Sequence, residues 1–508
     1  MEGGGGSERV ESSTLSPRRR RGRLFCLVGL ALVASALTLV VSRQGAPLTS
    51  DSAAYVGTAH DLDAGLGLTV PIRLYPLGTV GIGTPPPGRS EPVPTPLVIY
   101  APLAPVLLAV GGHPLGAARL EDAVFFGLTI LLVGLFVLAV TDELWVAAVA
   151  QLLLAFSLAV MASDVGTVAA ALFFAAVALV AVLRLRQGGH QAWLAVAAVA
   201  IGLATLERYA SGGLIIWSFL VLRHRLRQAV TLLALSSAPL VGWFVYEQVS
   251  GRSTGHYLGF HVVKTTVRTG LRSFATWVLP ASAPFPVAVL VVVIVGAACL
   301  WWLRRRIESR LLLAFVVVQV VILEIAITFF DAGVNLDATE FVPLGLAVVV
   351  AVACRVRPRP TTMAIMACLV VAAALRFGID TATHPGLGYA SAAWVSSPVM
   401  ADVRRLPDSA VIYTNAPDAV YLLADRATAT IPETTDFSTL KANPHFTAQL
   451  DAMRRTLADR GGYVVYVRGL GRSAFVPSES LLVHDLRLSV VANTADGAVY
   501  RLRPLPTP

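Results

Sequence analysis

The sequence predicts a polytopic α-helical membrane protein of about eleven spans, N-terminus in and C-terminus out, carrying a C-terminal extracytoplasmic α/β domain. Three observations predict it. The 508 residues are 56 % hydrophobic and only 14 % charged, with a mean hydropathy of +0.70, which is too little charge to cover a soluble surface of this size. Apolar runs near the ~20 residues that span a bilayer recur as far as residue 377. Arginine clusters alternate with those runs, and beyond them the composition becomes that of a soluble domain.

Residues 1–23 read as a disordered basic cytoplasmic tail ending in Arg18-Arg19-Arg20-Arg21-Gly22-Arg23, and the run 24–42 reads as a signal anchor. Further apolar runs lie at 97–111, 118–140, 144–162, 166–183, 192–206, 209–222, 228–247, 281–303, 310–330, 341–354 and 361–377. Between them stand Arg184-Leu185-Arg186, Arg223-His224-Arg225-Leu226-Arg227, Arg304-Arg305-Arg306 and Arg355-Val356-Arg357-Pro358-Arg359. Basic loops face the cytoplasm, so an even number of spans must separate each cluster from the first. If 97–111 crossed, every later cluster would face outward. That run is short and contains Pro102 and Pro105, so it is expected to lie on the outer surface as a helix. A transmembrane domain of 24–377 results, with an outer loop at 43–117.

The net charge of +9 does not imply nucleic acid, because the arginines sit in short clusters beside apolar runs rather than on one face. Cys26, Cys299, Cys354 and Cys368 lie in apolar segments without metal-type spacing. Carboxylates at the outer ends of spans are functional candidates. They are Asp51, Asp61, Asp63, Glu121, Asp122, Asp164, Glu207, Asp331, Asp337 and Glu340. Asp61 and Asp63 are expected to be solvated helix residues, Arg119 to pair with Glu121 and Asp122, and Asp142 and Glu143 to cap the span that follows. In residues 378–508 the runs at 411–413 and 463–467, separated by helical patterns, predict a small α/β domain closed by a hairpin around Asn493-Thr494-Ala495-Asp496-Gly497. It has no Gly-rich phosphate loop, no HExxH and no nucleophile elbow.

Several segments together resemble a known family. They are Ser50-Asp51-Ser52-Ala53-Ala54-Tyr55, Gly65-Leu66-Gly67, the Pro-rich stretch 96–109, Glu121-Asp122, Ser163-Asp164, Leu206-Glu207-Arg208-Tyr209, Gly251-Arg252-Ser253-Thr254-Gly255-His256 and Tyr413-Thr414-Asn415-Ala416-Pro417-Asp418. In order and membrane placement they resemble the bacterial GT-C membrane glycosyltransferases related to protein O-mannosyltransferases and to the lipid A aminoarabinose transferase. The resemblance implies a GT-C-like fold in a bacterial plasma membrane. It also implies inverting transfer of a sugar from a polyprenyl-phosphate donor to an extracytoplasmic acceptor, with Asp51 as general base. Asp164 would position the acceptor or stabilise charge, and Tyr55 and Tyr209 would line the substrate. The lipid phosphate needs cationic or hydrogen-bonding partners, for which Arg208, Arg252, His256, His261 and Lys264 are the candidates. The partners expected are this lipid-linked sugar, an acceptor of unassigned chemistry and membrane lipid, with no nucleic acid and no cofactor. Ser52 stands where the family usually has a second carboxylate, and Asp337-Ala338-Thr339-Glu340 where relatives often have Asp-x-Arg, so metal dependence is left open. Two other readings are a transporter and a catalytically inactive relative that acts as a membrane scaffold.

Overall fold

A computed structural model describes residues 17–72, 95–97, 100–111, 114–165, 167–249, 264–275, 284–303, 305–329, 339–356, 359–383, 386–435, 441–470 and 475–503. In chain order the helices of the first part are α1 (Pro17–Val41), α2 (Ser50–Asp63), α3 (Leu103–Val110), α4 (Pro114–Thr141), α5 (Leu144–Ala162), α6 (Val168–Arg186) and α7 (Ala192–Glu207). They continue with α8 (Gly213–Leu222), α9 (Leu226–Val249), α10 (Lys264–Ala275), α11 (Phe285–Leu303), α12 (Ile307–Phe329), α13 (Val342–Ala353) and α14 (Pro360–Thr383). Eight of these, α1, α4, α5, α6, α9, α11, α12 and α14, are long and apolar enough to cross a membrane, and three shorter apolar stretches cover Ala192–Glu207, Tyr209–Leu222 and Thr339–Ala353. Each of the runs expected to cross therefore falls on a helix. The run 97–111 instead yields the eight-residue α3, preceded by a short antiparallel pair of β1 (Thr69–Val70) and β2 (Thr95–Pro96). Helix α1 begins at Pro17, so the arginine cluster from Arg18 is already helical rather than part of a tail.

The bundle packs largely through Ala, Val and Leu, the small residues letting backbones approach. Polar side chains within it are satisfied by carbonyls of neighbouring helices. Gln151 Nε2 donates to Leu27 O at 3.2 Å and Ile130 O at 2.9 Å, joining α5 to α1 and α4. A Cβ at Gly134 would meet the Gln151 amide at 2.5 Å, so that glycine makes the room. Trp217 Nε1 donates to Leu311 O at 2.7 Å, and Ser309 Oγ to Ala351 O at 2.8 Å. Asp142 is not a cap: it has φ +56° and takes an ion pair from Arg23 at 2.6 Å. Glu143 occupies the cap position of α5 without a capping side-chain bond.

The C-terminal part holds α15 (Ala392–Val395), α16 (Pro398–Arg404), β3 (Ile412–Thr414), α17 (Pro417–Ala424), β4 (Ala429–Thr430), α18 (Phe446–Arg460), β5 (Tyr463–Val467), α19 (Glu479–Asp485), β6 (Leu488–Asn493) and β7 (Gly497–Leu502). The sheet order is β4-β3-β5-β7-β6, with β4, β3 and β5 parallel and β7 and β6 antiparallel. Apolar residues of α18 and α19 cover one face and those of α16 and α17 the other, giving three layers. Asn415 extends the pairing of β3 with β5 through its side chain, donating to Val467 O and accepting from Val467 N, both at 2.8 Å. Beyond the sheet, Glu479 accepts a fork from Arg468 at 2.7 and 2.8 Å and a bond from the Tyr500 phenol at 2.6 Å. The Arg468 fork holds the Glu479 carboxyl below its ordinary range.

This domain rests on the loop between α1 and α4. Tyr389 N donates to Leu48 O at 2.9 Å. Gly388, at φ +57°, lies so close that a Cβ there would run into the Leu48 carbonyl. From α17, Tyr421 packs with Ala53, Ala54, Val70 and Ile72, and its hydroxyl lies 2.9 Å from His60 Nδ1.

Candidate active site

Helix α2 is the platform. Its N-cap is Thr49. Thr49 N donates to Ser52 Oγ at 2.9 Å. Ser52 Oγ in turn donates to Val165 O at 2.7 Å, and Val165 N donates to Pro47 O at 3.0 Å. Two bonds thus staple the turn that carries Asp164 to the segment that carries Asp51. Ser52 is fully buried, and its hydroxyl both accepts and donates. An ionised carboxylate only accepts, so one here would oppose the Val165 carbonyl. The serine that departs from the family pattern therefore has a structural task of its own. Ser52→Ala removes both bonds and is expected to cost about 1–2 kcal/mol, read as a lower apparent melting temperature of the solubilised protein. An unchanged melting temperature would show that the staple contributes nothing.

Asp51 lies in the first turn of α2 and is exposed. The Tyr100 hydroxyl donates to its Oδ1 at 3.3 Å. Tyr100 is held edge-on against Tyr55, with ring centres 5.3 Å apart. The Tyr100 carbonyl accepts from the Tyr209 hydroxyl at 3.1 Å, which accepts from Trp243 Nε1 at 2.8 Å. A chain of contacts so runs from α9 to the Asp51 carboxylate. Burial pushes the Tyr55 phenol well above its ordinary value; the nearby Asp51, Glu207 and Tyr209 add to this and Arg208 opposes it. Asp51, Arg208 and Tyr209, widely spaced in sequence, thus all stand within electrostatic reach of Tyr55.

Arg208 sits where α7 ends in an extended residue before the 3-10 turn Tyr209–Gly212. It donates to Thr167 Oγ1 at 3.2 Å and forms an ion pair with Glu340. Glu207 beside it is buried, and neither of its oxygens has a hydrogen-bond partner among the described residues. Asp164 is half-buried, and its charge reaches Asp122.

Several expectations change. Arg119 does not pair with Glu121 or Asp122 among the described residues; its Nε donates to Ser42 Oγ at 3.2 Å. Asp61 is not solvated. It is buried, accepts from Thr69 Oγ1 at 2.8 Å, and burial raises its carboxyl above the ordinary value. Asp63 is exposed, as expected. Arg252, His256, His261, Asp331 and Asp337 lie outside the described residues. Tyr100, Trp243 and the partnership of Glu340 with Arg208 were not foreseen. The weak signal for Tyr100 was an aromatic residue inside the Pro-rich stretch, and for Trp243 an indole N–H in an apolar span, which needs an acceptor.

No protein-family model matches the chain, and no curated protein sequence matches it. Among solved structures it is similar to the oligosaccharyltransferase of Archaeoglobus fulgidus, determined in complex with Zn and sulfate. The TM-score is 0.50 at 13 % identity, over 93 % of this chain and 73 % of that one. The likeness shows the fold alone, an apolar helical bundle followed by a C-terminal sheet domain. Among the described residues no three His, Cys, Asp or Glu side chains converge as a metal cage.

Proposed function

We propose that this protein is a multi-pass membrane glycosyltransferase of the bacterial plasma membrane, moving a sugar from a polyprenyl-phosphate donor to an acceptor on the extracytoplasmic face. The observation that carries the reading is the convergence of an exposed Asp51, fixed by Tyr100, with Arg208, Tyr55 and Tyr209 at the end of the bundle beneath the C-terminal domain. The GT-C fold supports it. Nucleotide sugars are cytoplasmic, so a site on the outer face calls for a lipid-borne donor, and a lipid-borne donor calls for a site at the membrane boundary.

Asp51 takes the proton of the acceptor hydroxyl. The acceptor oxygen then forms its bond to the anomeric carbon from the side opposite the phosphate, so the configuration inverts. The bond between that carbon and the phosphate oxygen breaks, and its electron pair leaves with the polyprenyl phosphate. Tyr100 holds the base so that an acceptor hydroxyl can come within about 3 Å of it. Arg208 is the cation that meets the departing phosphate, exchanging part of its contact with Glu340. Asp164, on the stapled turn, orients the acceptor. The tyrosines Tyr55 and Tyr209 wall the sugar, their phenols protonated so that they add no charge. Arg252, His256 and His261 are the further candidates for the phosphate.

The test is transfer by sealed vesicles whose orientation is read from a reporter fused after Gly388, supplied with a panel of labelled polyprenyl-phosphate sugars and a membrane extract as acceptor source. One donor is expected to label the extract, with the reporter on the non-cytoplasmic side. Turnover of no donor, together with retained binding of other envelope proteins through 378–508, would replace this reading with that of a scaffold. A cytoplasmic reporter would overturn the orientation.

A further inference from the structure

A cavity of about 180 Å³ lies where α1, α5 and α14 meet, near the same end of the bundle as α2, and none of its lining residues belongs to the surroundings of Asp51. Its apolar lining includes Val40 of α1, Val160 of α5 and Leu387; its polar lining is Arg43, Asp380 and Thr381. Helix α5 packs against both α1 and α14. The membrane-length window of α14 is only 11 % buried within the protein, so bilayer lipid must cover the rest. The cavity is thus apolar where it meets hydrocarbon and charged where the helices end.

The two charges are of opposite sign. Arg43 is exposed, just beyond α1, and makes no hydrogen bond or ion pair among the described residues. Asp380 has its only described ion pair with Arg376, one turn earlier at 3.6 Å, and both side chains are about half exposed. Such an exposed i,i+4 pair is worth little, so the carboxylate is available to a second cation. A guanidinium binds a phosphodiester through charge-assisted bonds. A carboxylate accepts from a primary ammonium, which has N–H donors, but has no donor to accept from on a quaternary ammonium.

The geometry points to a resident-lipid site for a phospholipid whose phosphodiester head carries a primary ammonium group. Arg43 holds the phosphate, Asp380 the ammonium, and Val40, Val160 and Leu387 the start of the acyl region. A lipid there fills the gap between α1 and α14 against Gly386 and Leu387, which adjoin in the chain the Leu48–Gly388 bridge to the C-terminal domain. The inference rests on the membrane reading and is independent of sugar transfer.

The test is native mass spectrometry of the full-length protein from bilayers of equal parts phosphatidylethanolamine, phosphatidylcholine and phosphatidylglycerol. The wild type is expected to retain phosphatidylethanolamine over the other two. Asp380→Asn lowers that retention about tenfold, to the phosphatidylcholine level, and Arg43→Gln lowers it about tenfold as well. Equal retention of all three lipids by the wild type, or preference for phosphatidylglycerol, overturns the proposal. So does an unchanged preference in Asp380→Asn, which would make the bound lipid annular only. If Arg43→Gln fails to fold, the headgroup competition on the wild type and Asp380→Asn still decides.

Discussion

Asp51→Asn is expected to lower sugar transfer by about 10²–10⁴-fold, the usual worth of a positioned general base, while expression and thermal stability stay at wild-type levels. The side chain is exposed, and the amide keeps its shape. The amide oxygen can still accept from the Tyr100 phenol, so the rim survives and only proton acceptance is lost. The comparison requires matched protein amounts and the donor that the wild type turns over. Normal turnover by the variant would remove Asp51 from the chemistry and with it the mechanism proposed above. Tyr100→Phe supplies an internal control. It leaves the base in place but loosens it, so a smaller loss is expected than for Asp51→Asn.

The second large effect concerns Arg208. Breaking a buried ion pair by removing one partner costs about 3–5 kcal/mol. Here each side chain retains roughly a fifth of its exposure, 20 % and 19 %, and solvent reduces the cost to about 2 kcal/mol. Arg208→Met should therefore lower the apparent melting temperature, because it leaves Glu340 uncompensated in a region that already holds the buried Glu207. It should also abolish transfer. The double variant Arg208→Met/Glu340→Leu separates the two roles: it removes the stranded charge and should recover much of the stability, but not the transfer. Recovery of transfer in the double variant would show that Arg208 serves only to neutralise Glu340.

This pair also shows why part of the site was not legible. Arg208 stands in the sequence as a candidate cation for the lipid phosphate, and in the structure its charge reaches Tyr55, as that of Asp51 does. Its partner lies 132 residues further on, and no local pattern links the two. The segment around Glu340 read as a departure from Asp-x-Arg, a loss. In the structure the carboxylate that stands there is the counter-charge of Arg208. Ser52 likewise read as a missing carboxylate, and it is instead the hydroxyl that joins α2 to the Asp164 turn. Asp61 has the pattern of a solvated helix residue, and only the return of Thr69 against α2 buries it.

What the sequence alone determined was whatever depends on local pattern. Length and hydropathy fixed where the apolar helices run, since backbone groups in hydrocarbon must bond within their own segment. Prolines set 97–111 apart as a short helix. Alternating apolar runs and an Asp-Gly turn defined the elements of the C-terminal sheet, and the polar residues crowded between the apolar runs marked the region of the candidate site. Tertiary structure alone decided which of those residues meet. The staple of Ser52 to Val165, the chain from Trp243 through Tyr209 and Tyr100 to Asp51, and the pairing of Arg208 with Glu340 all join segments distant in the chain. Such contacts follow from how the helices pack, and a linear pattern carries no information about the distance between side chains on different helices.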